Sequence, residues 1–261
     1  MLFIVATPIG HRADISQRAL DVLRASDAIL CEDTRHSAKL LEHYGIRNPR
    51  IAYHKFNEKE SLEHILQMLR EGKNLSLISD AGTPCINDPG SILVNACREQ
   101  GIPISAIPGP CSLIQALVLS GFESKRFQFV GFLPKPAGKI LKEMLAFPGT
   151  SIAFESPERL CDTLALIDPS REVAVAREMT KTFEECRRGQ AQDLLAHFQT
   201  HPPKGEIVLL IRQGPVPDDT SPEELVSLLM EYLGMDMKEA IKQAAKMKGI
   251  SKREIYKIVH K

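Results

Sequence analysis

Short apolar runs alternate with stretches of helical spacing along the chain. The runs at 2–5, 28–31, 51–53, 75–78 and 104–107 are too brief for helices and predict strands. Between them the spacing changes. Ala19, Leu20, Val22 and Leu23 form one helical stripe, and Leu62, Ile65, Leu66 and Leu69 form another that closes at Gly72. A third helix is expected with Asp88 as N-cap, Pro89 as first residue and Gly101 as stop. Strand–helix alternation with runs this apolar predicts a parallel sheet covered on both faces.

A second block repeats the pattern with runs at 127–130, 151–154, 173–176 and 207–211, and a helix beginning at Ser156-Pro157. Residues 213–222 are rich in Pro and Gly, which break both periodic structures, and read as a linker. Helical spacing returns at 223–233, 237–248 and, after Gly249, at 252–259, with the look of a helix-turn-helix. The expected class is α/β: one domain over 1–121, a second over 122–213, and a small basic helical tail over 223–261.

Composition changes this picture little. At 261 residues, 43% hydrophobic and 25% charged, the chain is an ordinary globular protein. No apolar run approaches the ~20 residues that span a bilayer. The apolar start is brief and lacks the features of a signal peptide, so a cytoplasmic location is expected. The six cysteines are scattered without a C-x-x-C pair, and the eight histidines lack metal-triad spacing. Neither zinc, a disulfide frame nor any other metal is expected.

Charge changes it more. The formal net charge is zero, yet residues 238–261 hold eight Lys or Arg against two acids, a net +6 balanced by −6 elsewhere. Such a tail suits a nucleic-acid partner, and equally a solvated helix face.

The candidate chemistry lies at the strand ends, where an open parallel sheet binds ligands. The first five strands run into Ala6-Thr-Pro-Ile-Gly10, Glu32-Asp-Thr-Arg35, His54-Lys-Phe-Asn-Glu58, Ser79-Asp-Ala-Gly-Thr-Pro84 and Pro108-Gly-Pro-Cys-Ser112. There is no G-x-x-x-x-G-K-[ST], no G-x-G-x-x-G and no G-x-S-x-G. What remains is a site for a compact, weakly anionic ligand held by backbone at glycines and by a few carboxylates. The second block adds Phe154-Glu155-Ser-Pro157, Arg177-Glu-Met-Thr-Lys181 and Lys204-Gly-Glu206. Taken alone, the strip from Arg177 to Lys181 is also what a surface salt-bridge network looks like. Asp33, Asp80 and Glu155 are the candidate bases by residue type and strand-end position.

In this order these segments, with Asp88-Pro-Gly90 and Gly131-Phe-Leu-Pro134, make the chain resemble the bacterial 16S ribosomal RNA ribose 2'-O-methyltransferases of the tetrapyrrole methylase superfamily. The resemblance covers nearly the whole chain. It departs from the usual pattern at His11, Cys111, Lys135-Pro136 and Glu158. It implies two α/β domains with S-adenosylmethionine folded in a cleft between them, a homodimer, and a cytidine ribose in the decoding region of 16S rRNA, within the small ribosomal subunit, as acceptor. On this resemblance Pro8, Ile9, Gly10, Asp80, Gly82, Thr83, Cys111, Ser112, Lys204 and Gly205 are expected at the donor. Arg35, His54, Lys135, Arg177 and Lys181 are expected at the RNA. In-line methyl transfer needs the acceptor oxygen roughly 3 Å from the methyl, and a ribose hydroxyl needs a base. Two other classes stay open: a methyltransferase of a corrin-type small molecule, which has no use for a cationic tail, and a non-enzymatic RNA-binding module, which has no use for donor loops.

Overall fold

Apolar strands buried on both faces dictate the first sheet. A computed structural model describes residues 1–214 and 220–260. In it β1 (Leu2–Val5), β2 (Ala28–Cys31), β3 (Arg50–Ala52), β4 (Leu75–Ile78) and β5 (Ile104–Ile107) form an all-parallel sheet in the order β3-β2-β4-β1-β5. The strands are followed by helices α1 (Gln17–Ala25), α2 (Thr34–His43), α3 (Glu58–Arg70), α4 (Ser91–Glu99) and α5 (Ser112–Ser120). Successive strand residues face opposite sides. Leu2, Leu30, Leu75 and Leu77 pack with Ile65, Leu66 and Leu93 on one side, while Val5, Ile29 and Ile78 pack with Leu20, Leu23 and Leu41 on the other. Each such side chain contributes about 1.5–3 kcal/mol on burial.

The strand order fixes where a ligand fits. From β1 the chain moves to one side of the sheet, to β2 and β3. From β4 it moves to the other, to β5. The carboxyl ends of β1, β2 and β4 therefore flank the points where the winding reverses, which is where open sheets bind ligands.

Helix α4 starts later than expected. Gly90, at φ +132°, is its N-cap, and Asp88 and Pro89 lie in the preceding loop. The cause is non-local: the Gly90 N–H donates to Glu58 Oε1 at 2.9 Å, which fixes the loop from α3. A Cβ at Gly90 would lie 2.6 Å from both Cys85 Sγ and Leu77 Cδ2, so only glycine fits.

The second sheet is mixed. It comprises β6 (Phe127–Phe132), β7 (Thr150–Glu155), β8 (Glu172–Arg177), β9 (Glu185–Gln190) and β10 (Ile207–Ile211), in the order β6-β7-β10-β8-β9. Only β6 and β7 pair in parallel. Strand β9 has no apolar run; its sequence is polar, and it lies at an edge. Helices α6 (Gly138–Ala146), α7 (Leu160–Ala165) and α8 (Ala191–Thr200) accompany this sheet. The helix expected at Ser156-Pro157 begins as a turn, with the Arg159 and Leu160 N–H groups on the Ser156 carbonyl, before α7 proper.

The tail forms α9 (Pro222–Leu233), α10 (Met237–Lys248) and α11 (Lys252–Val259). Ser221, Asp236 and Ser251 cap the N-termini, and Gly234 and Gly249 end α9 and α10 in left-handed conformations. Leu225, Leu229, Ile241, Ala244 and Ile255 make its core, with Ala146 of α6. The middle of the linker read at 213–222 lies outside the described residues. The chain divides into two compact units, Met1–Gln115 with Met179–Thr182, and Ala116–Glu178 with Phe183–Lys261.

Candidate active site

The loops after β1, β4 and β5 are tied into one surface. Thr7 and Gly82 exchange backbone hydrogen bonds of 2.8 and 3.0 Å, and the Thr7 hydroxyl donates to the Ser79 carbonyl at 3.2 Å. The Thr83 hydroxyl donates to the Pro110 carbonyl at 2.9 Å. Gly82 has φ +81°, and a Cβ there would sit 3.3 Å from Ile9 Cγ2; one at Gly109 would sit 2.9 Å from the Ala6 Cβ. Pro8, Ile9, Gly82 and Thr83 are thus brought together with the Pro108-Gly-Pro110 turn. Half-buried Cys111 and Ser112 lead from that turn into α5. One turn further, Gln115 Oε1 is buried without a hydrogen-bond partner among the described residues.

The carboxylates at this edge differ in role. Asp33 caps α2, accepting the Arg35 and His36 N–H groups at 2.8 and 3.3 Å. Those two bonds, the Arg35 one foremost, hold its carboxyl below the usual range. The Asp33 N–H in turn donates to Asp80 Oδ1 at 3.2 Å. Glu32, the residue before, behaves oppositely. Desolvation, and then the negative charge of Asp80, push its carboxyl up, opposed by the Asp80 N–H, Lys55 and His54. Glu32, Asp80 and His54 thus meet at the ends of β2, β4 and β3. His54 Nδ1 is buried without a partner among the described residues. Of these two adjacent acids, Asp33 is among the three candidate bases expected from the sequence, with Asp80 and Glu155, and Glu32 is not. The signal that separates them was present: an Asp directly before Thr34-Arg35-His36 is an N-cap, and the acid before it is left for other work.

A second feature lies beside Gly10. A groove of about 710 Å³ is lined by Gly10, His11, Arg12, His43, Tyr44 and Lys181, with neighbouring small side chains. The His11 N–H donates to Thr180 Oγ1 at 3.0 Å, and Tyr44 OH donates to the Arg12 carbonyl at 2.6 Å. A Cβ at Gly10 would stand 2.6 Å from Lys181 Cγ, so glycine is required there. Among the described residues no Asp or Glu lines this groove. Arg35 is almost fully exposed, 3.7 Å from Asp33.

In the second unit the expected site residues are engaged locally. Buried Glu155 accepts from the Ser156 N–H at 2.7 Å and the Thr163 hydroxyl at 2.6 Å, and pairs with Arg159 at 2.5 Å. Arg159 also reaches the Leu133 carbonyl at 3.0 Å, pinning the Gly131-Phe-Leu-Pro134 segment. Arg177 pairs with Glu185 at 2.6 Å. Lys135 and Lys204 are exposed. Gly205, at φ +84°, leaves no room for a Cβ, which would meet Glu178 Oε1 at 2.0 Å. Among the described residues no three His, Cys, Asp or Glu are placed to hold a metal ion, and no helix is long and apolar enough to cross a membrane.

Residues 1–195 match the family model of Tetrapyrrole (Corrin/Porphyrin) Methylases. The chain belongs to this family. It is 44% identical to the ribosomal RNA small subunit methyltransferase I of Escherichia coli O157:H7, over 98% of this chain and 93% of that one. A protein of the same name from Thermotoga maritima is 43% identical over 97% of its own length, but covers only 80% of this chain. A cobalt precorrin-4 methyltransferase shares the fold, with a TM-score of 0.60 at 18% identity, over 81% of this chain and 94% of its own. The α/β methylase fold with an added helical tail is therefore the one the sequence led us to expect. The tail from Pro222 onward lies beyond the stretch that the family model matches.

Proposed function

We propose that this tetrapyrrole methylase transfers a methyl group from S-adenosylmethionine to the 2'-hydroxyl of a cytidine ribose in the decoding region of 16S rRNA. One observation carries the choice of RNA over a corrin-type acceptor. The chain is 44% identical to the E. coli ribosomal RNA enzyme over 98% of its length, whereas the likeness to the precorrin enzyme, at 18% identity, is one of fold alone. The net +6 of residues 238–261 gives that full-length match a physical use, because phosphates demand cations.

The strand-end surface fits the donor. Bound there, S-adenosylmethionine supplies an electrophilic methyl group on a sulfonium sulfur. Pro8, Ile9, Gly10, Gly82, Thr83, Cys111 and Ser112 would hold it by backbone and small side chains. Asp80 offers a carboxylate for its ammonium, and the orphaned Gln115 carbonyl a ready acceptor for an amino group. Lys204 and Gly205 are carried to the donor by the resemblance alone, as Lys135 and Arg35 are to the RNA.

Glu32 is assigned as the base. Its raised carboxyl brings its proton affinity nearer to that needed at neutral pH. His54, beside it with a buried Nδ1 that has no partner among the described residues, orients the ribose or relays the proton. The groove of His11, Arg12, His43 and Lys181 holds the RNA backbone, where phosphate contacts set register. Asp33 and Glu155 are assigned to structure, as a helix cap and a buried clamp, and Arg177 to its pair with Glu185. The chain acts in the cytoplasm as a homodimer, a state that suits the apolar side chains Ile114, Val118 and Leu119 left exposed along α5.

The deciding experiment is methyl transfer from labelled donor to unmodified small ribosomal subunits, with mapping of the modified nucleotide. A single 2'-O-methylcytidine in the decoding region is expected. Donor binding without methylation of either subunits or free 16S rRNA overturns the reading.

A further inference from the structure

Helix α11 is only two turns long, yet its two faces are sharply divided. Ile255 is fully buried in the tail core, and Val259 packs beside it. The other face carries Arg253, Tyr256, Lys257 and His260 at i, i+3, i+4 and i+7, all exposed. Tyr256 is 57% exposed, and its ring leans on that of His260, with centroids 4.2 Å apart and planes at 46°. A lone exposed tyrosine is ordinary. Here two rings form a continuous aromatic surface bracketed by two cations.

The helix is built to hold that surface still. Ser251 and Glu254 form a reciprocal capping box, with the Glu254 N–H on Ser251 Oγ at 3.2 Å and the Ser251 N–H on Glu254 Oε2 at 2.8 Å. Glu254 is the one acid in the α11 sequence, and the cap draws it to the helix start, away from the rings. Charge selects the partner. A net +6 over residues 238–261 suits a polyanion, and exposed rings suit unpaired bases, which stack on aromatic faces while cations take the phosphates. A duplex hides its base faces. A membrane surface needs a free apolar face, and the apolar face of α11 is already buried.

The geometry points to α11 as a base-stacking platform, Tyr256 with His260 flanked by Arg253 and Lys257, for an unpaired segment of the RNA substrate. The inference rests on the RNA reading above and adds to it a place and a mode of contact. The tail lies outside residues 1–195, the stretch that the family model matches. The platform is thus an addition to the methylase body rather than part of its chemistry.

Stacking and charge respond differently to salt, and this makes the test. Full-length protein is titrated with a labelled single-stranded RNA of about 15 nucleotides and with unmodified small subunits, each at several salt concentrations. Tyr256→Ala should weaken RNA binding about tenfold at every salt concentration with the log–log slope unchanged, since stacking releases no counterions. Tyr256→Phe should bind within about twofold of the parent, because the ring is kept. Lys257→Gln should instead flatten the slope by about 0.7, the value of one single-strand phosphate contact. Equal affinity of parent and Tyr256→Ala, or a loss on Tyr256→Ala that Phe does not restore, overturns the platform while leaving the RNA reading intact. Loss of subunit binding with oligonucleotide binding preserved also overturns it, and gives this face to a ribosomal protein. If the parent neither binds nor methylates RNA, both readings fall.

Discussion

At the ends of β2 and β4 the first sheet sets Glu32 beside Asp80, with the N–H of Asp33 on one carboxylate and that of Asp80 on the other. At the end of β7 the second sheet surrounds Glu155 with a backbone N–H, a hydroxyl and a guanidinium. The contrast extends across both sheets. Arg212 and then Arg188 hold Glu172 low, and Glu185, against a desolvation that pulls upward, is held low by Arg177 and Arg187. One sheet leaves Glu32 beside Asp80 and, among the described residues, a histidine nitrogen without a partner, which raises the free energy of the folded state. The other pairs its charges with opposite ones. Unfavourable electrostatics survive where function needs them, so the difference agrees with the proposed function, in which the first edge reacts and the second sheet is scaffold.

The largest effect that would break this comparison is at Glu32. Glu32→Gln should lower turnover by about 10²- to 10⁴-fold while donor affinity stays within about twofold, the range for loss of a general base. The same variant should melt higher at neutral pH. A carboxyl raised in the folded state binds its proton to higher pH than in the unfolded chain, so stability falls as pH rises through the window between the two values. Glutamine removes that loss. By the same shift, parent turnover should fall on acidification at a pH above the ordinary glutamate range. A variant with full turnover, or one that melts lower, would move Glu32 to the scaffold class.

Glu155→Gln tests the other side. It should cost about 3 kcal/mol of stability, as breaking a buried ion pair does, with turnover per folded molecule unchanged. Urea denaturation and active-fraction titration measure the two. Next comes Asp80→Ala, which should raise the donor dissociation constant about tenfold to a hundredfold, the equivalent of roughly 1.5–3 kcal/mol for a lost charge-assisted hydrogen bond. Calorimetry with unchanged affinity would remove Asp80 from the donor site.

Much of this contrast could be read from the residues, and what could not has a physical reason. Strands β1, β2 and β4 are buried on both faces, so their apolar runs match their bounds. The tail helices are equally legible, because Ser221, Asp236 and Ser251 announce starts and Gly234 and Gly249 announce stops. Strand β9 could not be seen: Glu-Cys-Arg-Arg-Gly-Gln has no strand pattern, and it pairs at an edge with help from Arg177–Glu185 and Glu172–Arg188. The start of α4 was misplaced because Glu58, thirty-two residues earlier, takes the Gly90 N–H. Local propensity cannot report a bond of that reach. The strand-end loops were legible as a group that the parallel sheet brings to one edge, but which acid caps a helix and which faces another acid was not, since both depend on neighbours that the fold supplies.

The smallest predicted effect sharpens the comparison most finely, because Arg177 sits where the two interpretations compete. The family resemblance places it at the RNA, whereas the strip from Arg177 to Lys181 taken alone reads as a salt-bridge network, and its guanidinium lies on Glu185 Oε2 at 2.6 Å, across the β8–β9 pair. Both side chains are only about one-fifth exposed, so solvent screens the attraction less than in a fully exposed pair. An exposed pair is worth about 0.2–1 kcal/mol, and this partly sheltered one should sit near the upper end. Arg177→Ala should therefore lose about 1 kcal/mol. Glu185→Gln should lose at least as much, since Arg187 shares its carboxylate. The double variant should lose less than the sum, because the second change finds its partner already gone. None of the three should shift the KM for small subunits beyond about twofold, well below the roughly tenfold per 1.4 kcal/mol that a lost phosphate contact gives. A tenfold rise in KM for Arg177→Ala that Glu185→Gln does not share would show an arginine acting on RNA despite its partner. The second sheet would then hold a working charge within its scaffold.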